Sequence, residues 1–149
     1  MAGDATQRIA SAVTPAVMVS ACALAALGLD NQAARVSARL RDLARELRQL
    51  PAQSPRREHL PEQIRVLGRR HRIYTWALML NYAALLAFVC TSLLYLEQPA
   101  IGLPKSVPII AFTCGVVLLG AMAVLVLASL RLSRSAIVLE ERQTLARAP

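Results

Sequence analysis

Charge is absent from three long stretches of this chain, and that absence constrains the fold more than any motif does. No Asp, Glu, Lys or Arg stands between Arg8 and Asp30, between Arg72 and Glu97, or between Lys105 and Arg131. The runs hold about 21, 24 and 25 residues, and roughly 20 apolar residues cross the hydrocarbon core of a bilayer as a helix. A chain in lipid must satisfy its backbone groups within itself. Helices do so, and three strands cannot close a barrel. The runs therefore predict three transmembrane helices, near 11–29, 73–96 and 107–130. Composition agrees: 56% of residues are hydrophobic and 17% charged. That balance excludes a disordered chain and argues against an ordinary soluble enzyme.

Orientation follows from the basic residues. Arg35, Arg39, Arg41, Arg45, Arg48, Arg56, Arg57, Arg65, Arg69, Arg70 and Arg72 crowd the segment between the first two runs. Arg131, Arg134, Arg142 and Arg147 follow the third, whereas the other side holds only Arg8 and Lys105. The positive-inside rule puts the Arg-rich segment and the C-terminus in the cytoplasm. The N-terminus and the turn Glu97–Lys105 then lie outside, as three spans require. The expected location is the inner membrane of a bacterium. Val19-Ser20-Ala21-Cys22 resembles a lipoprotein processing site, but no basic region precedes it, since Asp4 cancels Arg8. The apolar run also continues to Leu29, so a span is the expectation. Met1-Ala2-Gly3 does not fit a myristoylation start.

The Arg-rich segment reads as a helical hairpin, about 30–72. Asn31 to Leu50 contains no Pro or Gly and is dominated by helix formers. Val36, Leu40, Leu43, Leu47 and Leu50 form one stripe, with Arg41, Arg45 and Arg48 off it. Asp42 and Arg45 stand at ion-pair spacing. No breaker separates this stretch from the first run, so one continuous helix is expected. Pro51, Ser54 and Pro55 end it. Ser54 is a candidate cap with Pro55 at the first helical position, and Pro61-Glu62 is a second candidate start. Ile64, Leu67, His71 and Tyr74 then form a matching stripe leading into the second span. The expected fold is one all-α membrane domain over 1–149. Its first two helices continue into a cytoplasmic antiparallel hairpin, and the third continues into a short C-terminal helix within the tail 131–149.

Lipid gives no hydrophobic drive between helices, so small and hydrogen-bonding residues mark contact faces. The first span offers Ala12, Ala16 and Ser20 at small-residue spacing, then Ala21, Ala25 and Gly28, with Asn31 at its end. Its weak hydropathy suits a central position. Thr14 and Pro15 loosen its outer end, since Pro removes a backbone donor. The third span offers Ala111, Gly115 and Gly120. Asn81, the amide well inside the second span, needs a partner on another helix: Thr14, Ser20 or a backbone carbonyl. No Asp, Glu, Lys, Arg or His lies in mid-span, which argues against a proton relay or an ion-coupled transporter. Arg69, Arg70, Arg72, Arg131 and Arg134 stand where they reach lipid headgroups.

Chemistry is hard to find. There is no Gly-rich phosphate loop, GxSxG, HExxH or CxxC, so no enzyme and no cofactor are expected. Cys22, Cys90 and Cys114 are odd in number and each sits in an apolar run, which supports neither a disulfide framework nor a metal cluster. His59 and His71 read as solvated or interfacial. Nucleic acid is not an expected partner, because aromatic residues make up only 4% of the chain and the basic region carries its own acids.

Three segments together resemble a known family. They are Thr14-Pro15 through the Ala/Leu-rich span to Asn31-Gln32-Ala33-Ala34-Arg35-Val36, with Arg39, Arg41 and Leu43; Ile64-Arg65-Val66-Leu67-Gly68-Arg69-Arg70-His71-Arg72-Ile73; and Leu130-Arg131-Leu132-Ser133-Arg134. The chain resembles the bacterial domain-of-unknown-function family numbered 2721, over roughly residues 8–145. Gln32 stands where that pattern has Arg, and Ala38 where it often has Asp. The resemblance implies a small integral membrane protein of three spans and carries no activity.

Two functional expectations remain. One is a non-catalytic membrane protein that self-associates and presents Arg35, Arg39 and Arg41 on the hairpin to a cytoplasmic protein partner or to anionic membrane lipid. The other is a homo-oligomeric channel. Its first helix would line the pore with Thr14, Met18, Ala21, Ala25, Gly28, Gln32, Arg35 and Arg39, and the arginines at the mouth would favour anions.

Overall fold

The computed structural model describes the backbone of residues 2–51, 53–102, 104 and 106–145, and the side chains of 13–51, 53–54, 56–97, 102, 104 and 106–131. Three long helices make up the fold: α1 (Ala2–Gln49), α2 (Pro55–Ile101) and α3 (Ser106–Leu145). The described residues contain no strand. Each helix is long and apolar enough to cross a membrane. The protein is therefore an all-helical, multi-pass membrane protein.

The first two helices are unbroken from their apolar halves into their Arg-rich halves, because no residue between Ala16 and Gln49 interrupts α1. Pro15 lies inside α1 and is buried; it removes one intrahelical donor without ending the helix. A short turn then reverses the chain. The Ser54 amide donates to the Pro51 carbonyl (3.1 Å), and the Arg57 amide donates to the Ser54 carbonyl (2.9 Å). Ser54 is the N-cap by its extended backbone, with Pro55 in the first turn, although its hydroxyl makes no capping bond. Pro61 does not start a helix; α2 runs through it. The second helix ends at Gly102, whose φ of 65° is left-handed. Glycine holds that conformation without steric cost.

Antiparallel packing of α1 on α2 keeps one register over its whole length. Cys22 faces Asn81, Leu29 packs with Tyr74, and Glu46 meets Arg56 beside the turn. In the Arg-rich half the seam is closed by Leu43 and Leu60, each 2% exposed. Val36, Leu40, Leu47, Leu50, Ile64 and Leu67 are half-buried around it. Arg35, Arg39, Arg41, Arg45, Arg48, Arg65, Arg69 and Arg72 are exposed. Asp42 and Arg45 approach to 3.8 Å.

The central helix is α2, which packs against both α1 and α3, whereas α1 and α3 scarcely meet. This corrects the expectation that the first span is central. The short links from α1 to α2 and from α2 to α3 make each outer helix an antiparallel neighbour of α2, and lipid supplies no drive to close α1 onto α3. Two buried clusters hold the bundle. Cys22, Ala84 and Phe88 form one, with Met18, Leu85, Phe112 and Leu119 packed on it. Leu29, Tyr74 and Ala77 form the other, with Ala33, Val36, Met122 and Val126.

Candidate functional site

Polar side chains within the apolar runs are treated in two ways. Several hydroxyls fold back on their own helix: Thr91 to the Ala87 carbonyl (2.7 Å), Ser92 to Phe88 (3.1 Å) and Thr113 to Ile109 (2.9 Å). Such bonds satisfy the hydroxyl without a neighbour. Asn81 bonds elsewhere. It is fully buried, and its Nδ2 donates across the seam to the Cys22 carbonyl at 2.9 Å. The acceptor is a backbone carbonyl; Thr14 and Ser20 are both exposed. The Asn81 Oδ1 is buried and has no hydrogen-bond partner.

Within one chain the small residues divide. Gly115 is packed: a Cβ there would lie 2.8 Å from the Phe88 ring, which also meets Phe112 at a centroid distance of 5.5 Å. Gly28 and Gly120 face open space. Ala16, Ser20, Ala21 and Asn31 are exposed, and Ala25 is half-buried. The buried face of α1 is instead Pro15, Cys22, Ala26 and Leu29. An Ala-rich helix carries small residues on every side, so spacing alone does not select the face that meets α2. The selecting signal was Asn81, which needs a carbonyl opposite.

A second polar group gathers where the Arg-rich half meets the apolar half. Arg69 and Arg72 are exposed, but Arg70 and His71 turn inward and are half-buried. The Arg70 guanidinium lies over the Tyr74 ring, 5.7 Å from its centroid, and Nη2 donates to the Tyr74 hydroxyl at 3.4 Å. Tyr74 is fully buried between the helices. Beside its phenol stands Ser129 of α3, also fully buried, without a bond of full hydrogen-bond geometry. The Arg70 Nε, the His71 Nδ1 and the Ser129 Oγ are all buried and unpartnered. From the sequence Arg70 is expected with the arginines that reach lipid headgroups, and His71 as solvated or interfacial at the end of the Ile64 stripe, whereas both turn inward. Tyr74 is the last residue of the stripe expected from Ile64 onward, whereas nothing in the sequence pattern singles out Ser129, although a serine two residues before Arg131 is a visible signal. Arg131 is exposed, and the side chain of Arg134 lies outside the described residues.

Neither group resembles a catalytic constellation. Among the described residues no set of three His, Cys, Asp or Glu side chains is placed to hold a metal. Cys22 is buried, Cys90 and Cys114 are exposed, and all three are free thiols. No curated protein and no solved structure matches the chain. A family model does match, over residues 12–139 and thus all three helices, and the chain accordingly belongs to the family described as "Protein of unknown function (DUF2721)".

Proposed function

We propose that this chain is a non-catalytic integral membrane protein that self-associates and presents its Arg-rich hairpin to a cytoplasmic partner or to anionic lipid. One observation carries the reading: the hairpin spends its apolar stripe on itself at Leu43 and Leu60 and turns its arginines outward. A surface of that kind attracts acidic groups over a Debye length and offers bidentate donors on contact. Self-association uses the outer face of α1, where Thr14, Ser20, Ala21, Gly28 and Asn31 are exposed and close approach of a second backbone is sterically open. The membrane in this reading is the bacterial inner membrane, with the hairpin and C-terminus cytoplasmic and the N-terminus outside. The lopsided distribution of arginine supports that orientation. No cofactor is required.

The test combines assembly and recruitment. Native mass spectrometry from nanodiscs gives the subunit number, and a monomer removes self-association. Charge reversal at Arg35, Arg39 and Arg41 is expected to abolish capture of anionic vesicles or of a cytoplasmic protein by the reconstituted chain. Unchanged capture removes the recruitment role. Maleimide labelling of Gln53→Cys in a cysteine-free background reads the orientation.

The same exposed α1 face supports a second reading, a homo-oligomeric channel. Thr14, Ala21, Gly28, Gln32, Arg35 and Arg39 all lie on the open side of α1. A ring of four or more copies with a conductance whose selectivity changes on Arg35→Glu would establish it. Absence of conductance in such a ring would exclude it.

A further inference from the structure

We propose that Arg70, His71, Tyr74 and Ser129 form a headgroup site for one anionic phospholipid per chain. The argument begins with what these side chains lack. The Arg70 Nε is buried without an acceptor and belongs to a cation, and the buried Ser129 Oγ has only the Tyr74 phenol beside it. Arginine offers only donors, and a serine hydroxyl has one to give. The buried His71 Nδ1 beside them has no partner either. Tyr74 holds the guanidinium in place through its ring and its hydroxyl. A partly buried cation among idle donors is costly unless a negative group completes it.

Among the described residues no acid supplies that group. The ion pairs of the hairpin join Asp42 to Arg45, Glu46 to Arg56 and Glu62 to Arg65, and none involves Arg70. Asp30, next to Leu29 on the α1 side of Tyr74, is exposed. Arg69 and Arg72, both exposed, add positive charge next to Arg70, so the local field favours an anion.

Depth selects a lipid over a dissolved ion. Arg70 and Tyr74 bracket the start of the second uncharged run, and Ser129 stands at the end of the third. That level is where headgroups meet acyl chains. In the adjoining turns Leu78, Leu125 and Val126 are half-buried apolar side chains packed around Tyr74, and their open edges offer a surface for the acyl chains of a lipid whose phosphate is held at Arg70. Basic pockets between transmembrane helices on the cytoplasmic side bind anionic headgroups in this manner, and a guanidinium fork matches a phosphate.

The test uses the full chain in nanodiscs of equimolar phosphatidylglycerol and phosphatidylethanolamine, released and weighed by native mass spectrometry. Wild type is expected to retain one phosphatidylglycerol per chain in preference to phosphatidylethanolamine. Arg70→Gln is expected to weaken retention about tenfold or more, the loss of a charge-assisted contact. Ser129→Ala, which removes only a hydroxyl, is expected to weaken it several-fold and serves if Arg70→Gln fails to fold. Thr113→Ala, which removes a hydroxyl bonded back on its own helix, is expected to leave retention intact. Equal retention of the two lipids by wild type overturns the site, as does unchanged retention in both cluster variants. A third arm adds inorganic phosphate to the lipid-free protein in neutral detergent. Thermal stabilisation there that depends on Arg70 overturns the lipid assignment in favour of a soluble anion. The inference rests on the orientation proposed above, and the two fail separately: labelling at Gln53→Cys reads the orientation, whereas lipid retention reads the site.

Discussion

The side-chain amide of Asn81 reaches across the α1–α2 seam and donates to the backbone carbonyl of Cys22 at 2.9 Å, which ties two otherwise apolar surfaces together at one height. Asn81→Ala is expected to destabilise the bundle by about 1–2 kcal/mol, since interhelical hydrogen bonds in membranes are worth about 0.6 kcal/mol on average and the lost volume adds a cavity cost. Asn81→Leu is expected to cost less, because it keeps the volume and removes an unpartnered oxygen. Reversible unfolding in mixed micelles measures both, and equal losses would show that the hydrogen bond, missing from both variants, carries the whole effect and the side-chain volume none.

Gly115 separates packed from open glycine. Gly115→Ala drives a methyl into the buried Phe88 ring and is expected to cost about 1–3 kcal/mol. Phe88→Leu in the same chain is expected to recover part of that loss. Gly28→Ala and Gly120→Ala, which meet nothing within 4 Å, are expected to be neutral or slightly stabilising for the single chain through helix propensity. Thermal stability of the four variants is the check.

The hairpin is expected to depend on its seam and not on its ion pairs. Leu43→Ala or Leu60→Ala empties a site that is 2% exposed and is expected to cost about 2–4 kcal/mol. Arg56→Ala breaks a pair whose arginine is largely exposed and is expected to cost less than about 1 kcal/mol. Limited proteolysis around residues 50–54 reads the difference. Faster cleavage in Arg56→Ala than in Leu43→Ala would reverse this assignment.

Trp76 is the single tryptophan, exposed and about 6 Å along the helix from Arg72. Its fluorescence is expected to be quenched most by lipids brominated near the headgroup end of the acyl chain. Strongest quenching from bromine at the bilayer centre would displace the membrane boundary drawn at residue 73.

Much of this fold was legible because its signals are binary. The gaps between Arg8 and Asp30, Arg72 and Glu97, and Lys105 and Arg131 mark the spans by length alone. The Leu43 stripe marks the hairpin seam, because water outside the membrane enforces amphipathicity. Inside the lipid that contrast vanishes. Every face of α1 there is apolar or small, so nothing in its own pattern distinguishes Cys22 and Ala26, which pack, from Ala21 and Gly28, which do not. The central place of α2 follows from two short turns, and the inward set of Arg70 from a tyrosine four residues on. Ser129 comes to that group from a separate helix, a relation that only the packed bundle contains.

The constant register of α1 on α2 has a mechanical consequence. Both helices are unbroken rods of 48 and 47 residues, roughly 70 Å each, and they are clamped near the middle by Asn81 and at the tip by Leu43 and Leu60. A pair of rods joined in this way has no hinge between the bilayer and the turn at 50–54. Any tilt imposed on the apolar half, by lipid thickness or by a neighbouring copy, swings the arginine-studded half by the same angle, with the displacement largest at its far end.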